Sequence, residues 1–112
     1  MRENFYVYIM ASTNRHTIYI GMTNSLLARI QQHRHQAGSS FTARYHTLHL
    51  VYYERFNEAR NAIARETQLK KWRREKKNWL IEKMNPSWYD LSSEIIEELP
   101  KLDDPISPEE MS

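Results

Sequence analysis

Blocks of apolar residues separated by short polar segments predict two strands and a helix within the first 30 residues. Residues 5–10 and 17–22 are rich in β-branched and aromatic side chains, which favour strands. The polar segment between them has turn chemistry at Thr13 and Asn14, so the simplest interpretation is an antiparallel hairpin. Apolar residues at positions 26, 27 and 30 then recur at helical spacing and predict a helix.

The predicted hairpin has a defined register if its turn centres on residues 13–14. Tyr8 then lies opposite Tyr19, and Tyr6 lies opposite Gly21. Because side chains alternate along a strand, Tyr6, Tyr8 and Tyr19 are expected to share one face of the sheet. A slip of one residue would move them to different faces.

The remaining pattern predicts one further strand and two further helices. Residues 48–56 form the strand, and the consecutive apolar residues 50–53 are expected to be covered on both faces, with the strand inside the sheet. Helices are predicted over about 58–72 and 75–84. The order β-β-α-β-α-α corresponds to a small α/β (α+β) fold, with a three-stranded antiparallel sheet flanked by helices.

The size and composition of the chain limit what it can be. Its 112 residues predict one domain, which we place at residues 1–91, followed by an acidic and mobile tail at 92–112 whose start can form a short helix. The chain has no cysteine, which excludes disulfides and cysteine-bound zinc and fits a reducing cytoplasm. No apolar run approaches the roughly 18 residues of a membrane span. We expect a monomer or weak dimer.

Charge is distributed very unevenly along the chain. Residues 1–85 contain 15 Lys or Arg against 6 Asp or Glu, a net charge of +9, and residues 86–112 carry a net −7 from 1 Lys and 8 acids. A body this basic fits a nucleic-acid backbone, although solvated helix faces explain it equally well. The candidate phosphate contacts are Arg44, Lys70, Lys71, Arg73, Arg74, Lys76 and Lys77. Trp72 and Trp79 fit the core better than base-stacking platforms.

Glu66 lies on the apolar stripe predicted for the helix at 58–72. That stripe is formed by Ala59, Ala62, Ile63, Leu69 and Trp72. A carboxylate rarely lies on a core-facing stripe unless it is paired or binds a metal. Two interpretations are therefore open, a buried ion pair with Arg29 or Arg44 and a divalent-metal ligand at the base of a cleft.

Residues 4–90 resemble the GIY-YIG nuclease family, named after its two sequence triplets. Tyr-Val-Tyr at 6–8 stands at the first triplet, with Tyr6 in place of the usual glycine. Tyr-Ile-Gly at 19–21 is the second triplet unaltered, with ten residues between the two triplets. The overall length and the segment at 85–91 are similar to small stand-alone bacterial members, which are related to the N-terminal catalytic domain of the excision-repair nuclease.

The resemblance extends to four polar residues further along the chain. Arg29 follows the second triplet by eight residues, where the family has its catalytic arginine, and His33 comes one helical turn later. Glu66 matches the family's metal-binding glutamate, and Asn78 matches its downstream asparagine.

The resemblance implies a DNA endonuclease that depends on Mg²⁺ or Mn²⁺ and cuts with structure-directed or weak specificity, with RNA not excluded as a substrate. Tyr19 or Tyr8 would accept the proton of the attacking water, with His33 as an alternative base. Arg29 would bind the phosphoryl oxygens, and Glu66 would hold a single metal ion. A role in DNA repair follows from the same resemblance.

Two other functions are compatible with the sequence. A non-cleaving nucleic-acid-binding module would keep the same fold and basic surface. A nuclease component recruited by a protein partner would need a docking surface, for which the tail offers Ile95, Ile96 and Leu99.

Overall fold

The structure, a computed structural model, describes residues 4–35 and 47–98. Its three strands form one antiparallel sheet and are β1 (Phe5–Ser12), β2 (Ile18–Thr23) and β3 (Thr47–Phe56). The helices are α1 (Leu26–His35), α2 (Ala59–Lys71), α3 (Arg74–Met84) and α4 (Ser92–Glu98). The α+β class and the order β-β-α-β-α-α are confirmed, and α4 follows as a further short helix.

Strand β1 is the centre of the sheet, with β2 on one side and β3 on the other. Seven of its eight residues are buried. The prediction that the third strand lies inside the sheet was wrong, because among the described strands β3 pairs with β1 alone. Residues 50–52 are buried because helices cover both faces of the sheet, which does not require a strand on each side.

Alternate residues of β1 enter two separate apolar clusters, one on each face of the sheet. One cluster lies under α2 and α3 and contains Val7, Ile9, Val51, Leu69 and Ile81 among others. The other lies under α1 and α4 and includes Tyr6, Tyr8, Met10, Leu26, Ile30 and Leu50, with Tyr19 packed against it. The prediction that the three tyrosines share one face is confirmed.

The hairpin register differs from the prediction by two residues. Tyr8 lies opposite Gly21, and Met10 lies opposite Tyr19. An even displacement keeps every side chain on its expected face, so the grouping of the tyrosines was right although the pairing was wrong.

The turn itself explains the displacement. The Asn14 side-chain oxygen accepts hydrogen bonds from the Ser12 hydroxyl and the His16 backbone N–H, and Arg15 adopts a positive φ of 65°. These contacts centre the turn one residue later than predicted, and each residue of displacement at the turn moves the pairing by two.

The segment that follows α3 folds back onto the sheet. Leu91 N–H donates to the Leu50 carbonyl at 2.7 Å, and Ile95 of α4 is only 2% exposed within the α1/α4 cluster. Ile95 is therefore unavailable as the predicted docking surface. The mobile tail was predicted over residues 92–112; its first seven residues form α4, and residues 99–112, with Leu99 among them, lie outside the described residues. No helix in the described part of the chain is long and apolar enough to cross a bilayer, and the cytoplasmic location stays a prediction.

Candidate active site

Two strands and α1 bring three ring side chains together on one face of the sheet. The Tyr8 hydroxyl lies 3.0 Å from His33 Nε2, and both residues are buried. The ring centroid of Tyr19 lies 6.2 Å from that of Tyr8 and 5.1 Å from that of His33. Tyr19 itself is half-buried, so the cluster reaches the protein surface through this residue.

Gly21 provides the space in which the two phenol rings lie. A Cβ atom at this position would be 2.5 Å from the Tyr8 hydroxyl oxygen and 3.0 Å from Cε1 of Tyr19. Because Gly21 is the cross-strand partner of Tyr8, the Tyr8 ring lies across the glycine. The sequence did not reveal this role, since finding it required the correct register.

Burial and charge set the protonation of the cluster. Burial raises the pKa of the Tyr8 phenol, with contributions from neighbouring Tyr19 and Glu66, and the Arg29 guanidinium works in the opposite direction. Burial and then the charge of Arg29 lower the pKa of His33. At neutral pH the pair is therefore a neutral phenol beside a neutral imidazole. Desolvation outweighs the charge of Arg29 at Tyr8, so Arg29 alone does not lower the pKa of this phenol below its ordinary value.

Glu66 lies on α2, which packs mainly on the other face. Its charge acts on Tyr8, and its side chain is 22% exposed. Lys70 Nζ lies 3.3 Å from its Oε2, so within the described residues the ion-pair partner of Glu66 is a lysine one turn along the same helix. Arg44, one of the two partners considered, lies outside the described residues. The stripe predicted around Glu66 was wrong at Ile63, which is 49% exposed.

The described residues fit a divalent cation that is bound by a single protein carboxylate. No group of three or more His, Asp or Glu suited to a metal occurs within residues 4–35 and 47–98. Glu66 is a half-buried carboxylate that already pairs with an exposed ammonium group. One such carboxylate suits a Mg²⁺ ion whose remaining ligands are water and phosphate oxygens. Glu66 is the residue that would hold it.

The Asn78 side chain is bound by Arg74 of its own helix. Its side-chain oxygen accepts a hydrogen bond from Arg74 Nε at 2.9 Å. Arg74 also donates to the backbone carbonyls of Arg15 and His16, which fastens α3 to the turn. Arg74 is thus engaged in the fold, and its role as a phosphate contact stays a prediction.

The other predicted cations are distributed over the end of α2 and the start of α3. Lys71, Arg73 and Lys76 are exposed, while Lys77 is half-buried and approaches the Lys70 carbonyl at 3.4 Å. Arg44 lies outside the described residues. Lys70 and Lys77 connect this basic surface to the carboxylate of the active-site cluster.

Residues 85–91, a segment that contributed to the resemblance, form hydrogen bonds that stabilise the fold. The buried Asn85 side chain donates to the carbonyls of Val51 and Tyr89 and accepts from the Tyr89 N–H. The Asp90 carboxylate binds the Leu50 N–H and Arg34. Tyr6, in place of the family's glycine, is 6% exposed and packs in the α1/α4 cluster without interrupting β1.

Comparisons with known proteins identify the family of this chain. Residues 4–78 match the GIY-YIG catalytic domain. A UPF0213 protein of Clostridium perfringens is 38% identical over 76 residues, covering 68% of this chain and 81% of the relative. A UPF0213 protein of Bacillus pumilus is 32% identical over 83 residues, covering 74% of this chain and 84% of the relative.

A solved structure is similar over the same region. The solution NMR structure of a UPF0213 protein from Bacillus halodurans aligns with a TM-score of 0.50 at 27% identity, covering 76% of this chain and 89% of that protein. The chain therefore belongs to the GIY-YIG family of nuclease domains, among the small UPF0213 proteins.

Proposed function

We propose that this protein is a divalent-metal-dependent endonuclease that hydrolyses phosphodiester bonds in DNA, with structure-directed or weak specificity. The observation that carries the proposal is the 3.0 Å contact between the Tyr8 hydroxyl and a neutral His33, beside Tyr19 and within the field of Arg29 and Glu66. A base, a fixed positive charge and a metal-binding carboxylate are the groups that phosphodiester hydrolysis requires.

The pKa directions favour a proton path through the ring side chains. With the His33 proton on Nδ1, the Tyr8 hydroxyl donates to Nε2, and its oxygen can accept a proton from the neighbouring Tyr19. Tyr19 is half-buried and would take the proton of the attacking water at the surface. Tyr8 then passes its own proton to His33 as the water attacks phosphorus and the P–O bond of the leaving oxygen breaks. The buried phenol never becomes an anion, so its raised pKa does not oppose the reaction.

Arg29 and Glu66 supply the charges around the scissile phosphate. The guanidinium of Arg29 is permanently charged and planar, and it suits the phosphoryl oxygens. Glu66 would bind one Mg²⁺ or Mn²⁺, which when present stabilises negative charge on the leaving oxygen. Lys70 would leave Glu66 for solvent or phosphate as the ion binds.

Weak or structure-directed specificity fits the basic surface of this domain. The basic side chains at the end of α2 and the start of α3 contact phosphates and carry no base code by themselves. The shape of the DNA substrate would then determine the pathway, such as DNA repair, in which the protein acts.

Single-turnover cleavage of nicked, branched and duplex DNA in Mg²⁺ or Mn²⁺ tests the proposal. Arg29→Ala should lower the rate at least 100-fold, the typical loss of an oxyanion-stabilising donor. Arg60→Ala is the matched control, because Arg60 is an exposed arginine paired with Glu58 and should leave the rate unchanged.

The same substrates distinguish the non-cleaving alternative. A pure binding module would cut none of them in either metal, and its salt-dependent affinity for DNA would be unaffected by Glu66→Gln. That result would overturn the endonuclease and leave the fold as a binding platform.

A further inference from the structure

An open cavity lies on the side of α3 that faces away from the sheet. It has a volume of about 510 Å³ and is lined by Trp72, Arg73, Glu75, Lys76 and Trp79. Two indoles, two cations and one carboxylate therefore surround a space large enough for a nucleobase and its sugar.

The cavity lies outside the hydrophobic core. Trp79 is 52% exposed, although Leu80 and Ile81 next to it are buried, so the prediction of a core residue was wrong for this tryptophan. Trp72 is half-buried and packs against the α2/α3 cluster, which gives the cavity one fixed wall. An exposed indole beside a concave surface is a candidate binding feature.

The charges around the cavity identify the class of ligand. Lys76 Nζ lies 4.2 Å from the centroid of the Trp72 ring, and Lys83 Nζ lies 4.6 Å from that of Trp79. A base that displaces one of these ammonium groups from its exposed position over the indole would stack on the ring and bring its phosphate within reach of the displaced lysine or of Arg73. The Glu75 carboxylate at the wall accepts hydrogen bonds, and the N–H groups of a base edge can donate them.

We propose that this cavity, which we call the indole cavity, binds an unpaired nucleotide of the nucleic-acid strand. The inference rests on the proposed function only in taking the substrate to be nucleic acid. Paired bases cannot enter the cavity, because their faces are stacked and their edges are engaged. The indole cavity thus favours substrates with a single-stranded segment, such as flaps, gaps or branches.

The basic surface links the indole cavity to the active site. Lys77 of α3 approaches the carbonyl of Lys70, and Lys70 pairs with Glu66. A strand whose unpaired base enters the cavity can therefore continue along these lysines toward the carboxylate.

Equilibrium binding in EDTA tests the proposal without requiring cleavage. Fluorescently labelled oligothymidine and a fully paired duplex of equal length are titrated with the full chain. Trp79→Leu should weaken oligothymidine binding about 5- to 150-fold, the range of one stacked base, and change duplex binding less than twofold. Tyr89→Leu is the matched control, because Tyr89 is a 71% exposed aromatic outside the cavity and should change neither affinity.

The outcomes separate this proposal from the nuclease. Trp79-dependent binding in a protein that cleaves nothing supports the indole cavity and overturns the endonuclease. Equal loss of single-strand and duplex affinity, or no loss, overturns the indole cavity even if cleavage is normal. Lys76→Gln, which keeps the hydrophobic face of α3, provides a second variant and should weaken oligothymidine binding with a shallower salt dependence.

Discussion

The two faces of the sheet each hold a buried tyrosine with polar partners, yet only one has the features of an active site. Tyr8 lies on the α1/α4 face beside His33, and Tyr52 lies on the α2/α3 face beside Glu54 and Arg65. Burial raises the pKa of both phenols. Burial and a raised pKa alone therefore do not distinguish a reactive tyrosine from a structural one.

The difference lies in the carboxylates. Glu54 accepts a hydrogen bond from the Tyr52 hydroxyl and is held by Arg65 through contacts of 2.8 to 3.2 Å, with both oxygens engaged. Among the described residues Glu66 forms an ion pair with Lys70 at 3.3 Å, and that lysine is 54% exposed. A cation can replace the lysine at Glu66 at low cost, whereas the Glu54 cluster is closed. An exchangeable partner is thus what favours Glu66 over Glu54 as the candidate metal ligand.

The largest expected contrast is between Tyr8→Phe and Tyr52→Phe. Tyr8→Phe removes the hydroxyl that contacts His33 and should lower the single-turnover cleavage rate by about 10²- to 10⁴-fold, the range of general acid–base catalysis. Tyr52→Phe also removes a buried hydroxyl but should leave the rate within about threefold. Equal losses in the two variants would mean that the cleavage defect reflects the fold.

Gly21→Ala should have the next largest effect, because the added methyl group would lie where the phenol rings now are. Tyr8 is held by His33 and cannot move away freely, so both tyrosines should shift. We expect a loss of about 100-fold in rate, typical of reacting groups misplaced by about 1 Å. Circular dichroism and thermal unfolding should show a folded protein, and an unchanged rate would contradict the role given to Gly21.

The closed cluster should instead matter for stability. Glu54→Ala leaves the half-buried Arg65 without its carboxylate and should lower the free energy of unfolding by about 1.5–3 kcal/mol, the usual range for hydrogen bonds to charged groups. Urea denaturation measures this effect. Glu58→Ala breaks the exposed pair with Arg60 and should change stability by less than about 0.5 kcal/mol. Neither variant should alter the cleavage rate by more than a small factor.

The sequence predicted the elements and the grouping of the tyrosines, because both depend on periodicity. It missed the register, which the side chain of Asn14 determines at the turn, and so missed the contact between Gly21 and Tyr8. The sequence placed β3 inside the sheet because a run of consecutive apolar residues does not distinguish a central strand from an edge strand whose two faces are covered by helices. Trp79 was expected in the core because its neighbours are apolar, although each residue of a helix turns about 100° from the last.

The candidate site came from a resemblance, and physical reasoning alone would not have assembled it. Arg29 and Glu66 are separated by 36 intervening residues, and no periodic pattern links them. The partner of Glu66 was open to prediction, since a lysine four residues after a glutamate is a favourable helical pair. The two interpretations considered for Glu66, a buried arginine partner and a metal ion, left out this pair with Lys70 on the same helix.

The pH dependence of cleavage should reveal the neutral imidazole of His33. Its pKa lies below the ordinary histidine value of about 6.5, so His33 stays neutral as the pH falls through 6.5. We expect kcat/KM to be flat at neutral pH and to fall about tenfold per pH unit only below the lowered pKa. The same shift predicts that His33 destabilises the fold as the pH falls from 6.5 through the lowered pKa, because the unfolded chain binds the proton more readily.

Substitution at His33 provides the check on this profile. His33→Gln should remove the acidic limb together with most of the activity, whereas exposed His16→Gln should leave the whole profile unchanged. A wild-type midpoint above 6.5 would mean that His33 is not the group that titrates.

The smallest expected effect concerns Lys70, the exchangeable partner. Lys70→Ala removes an exposed pair at i,i+4 spacing and should change the free energy of unfolding by only about 0.3–0.5 kcal/mol. Mn²⁺ affinity, measured by electron paramagnetic resonance without nucleic acid, should rise a few-fold because the ammonium no longer competes for Glu66. Glu66→Gln should abolish that binding, and Lys71→Ala is the exposed control on the same helix. If Lys70→Ala instead weakened Mn²⁺ binding, the lysine would be organising the carboxylate, and the contrast between an open and a closed cluster would fail.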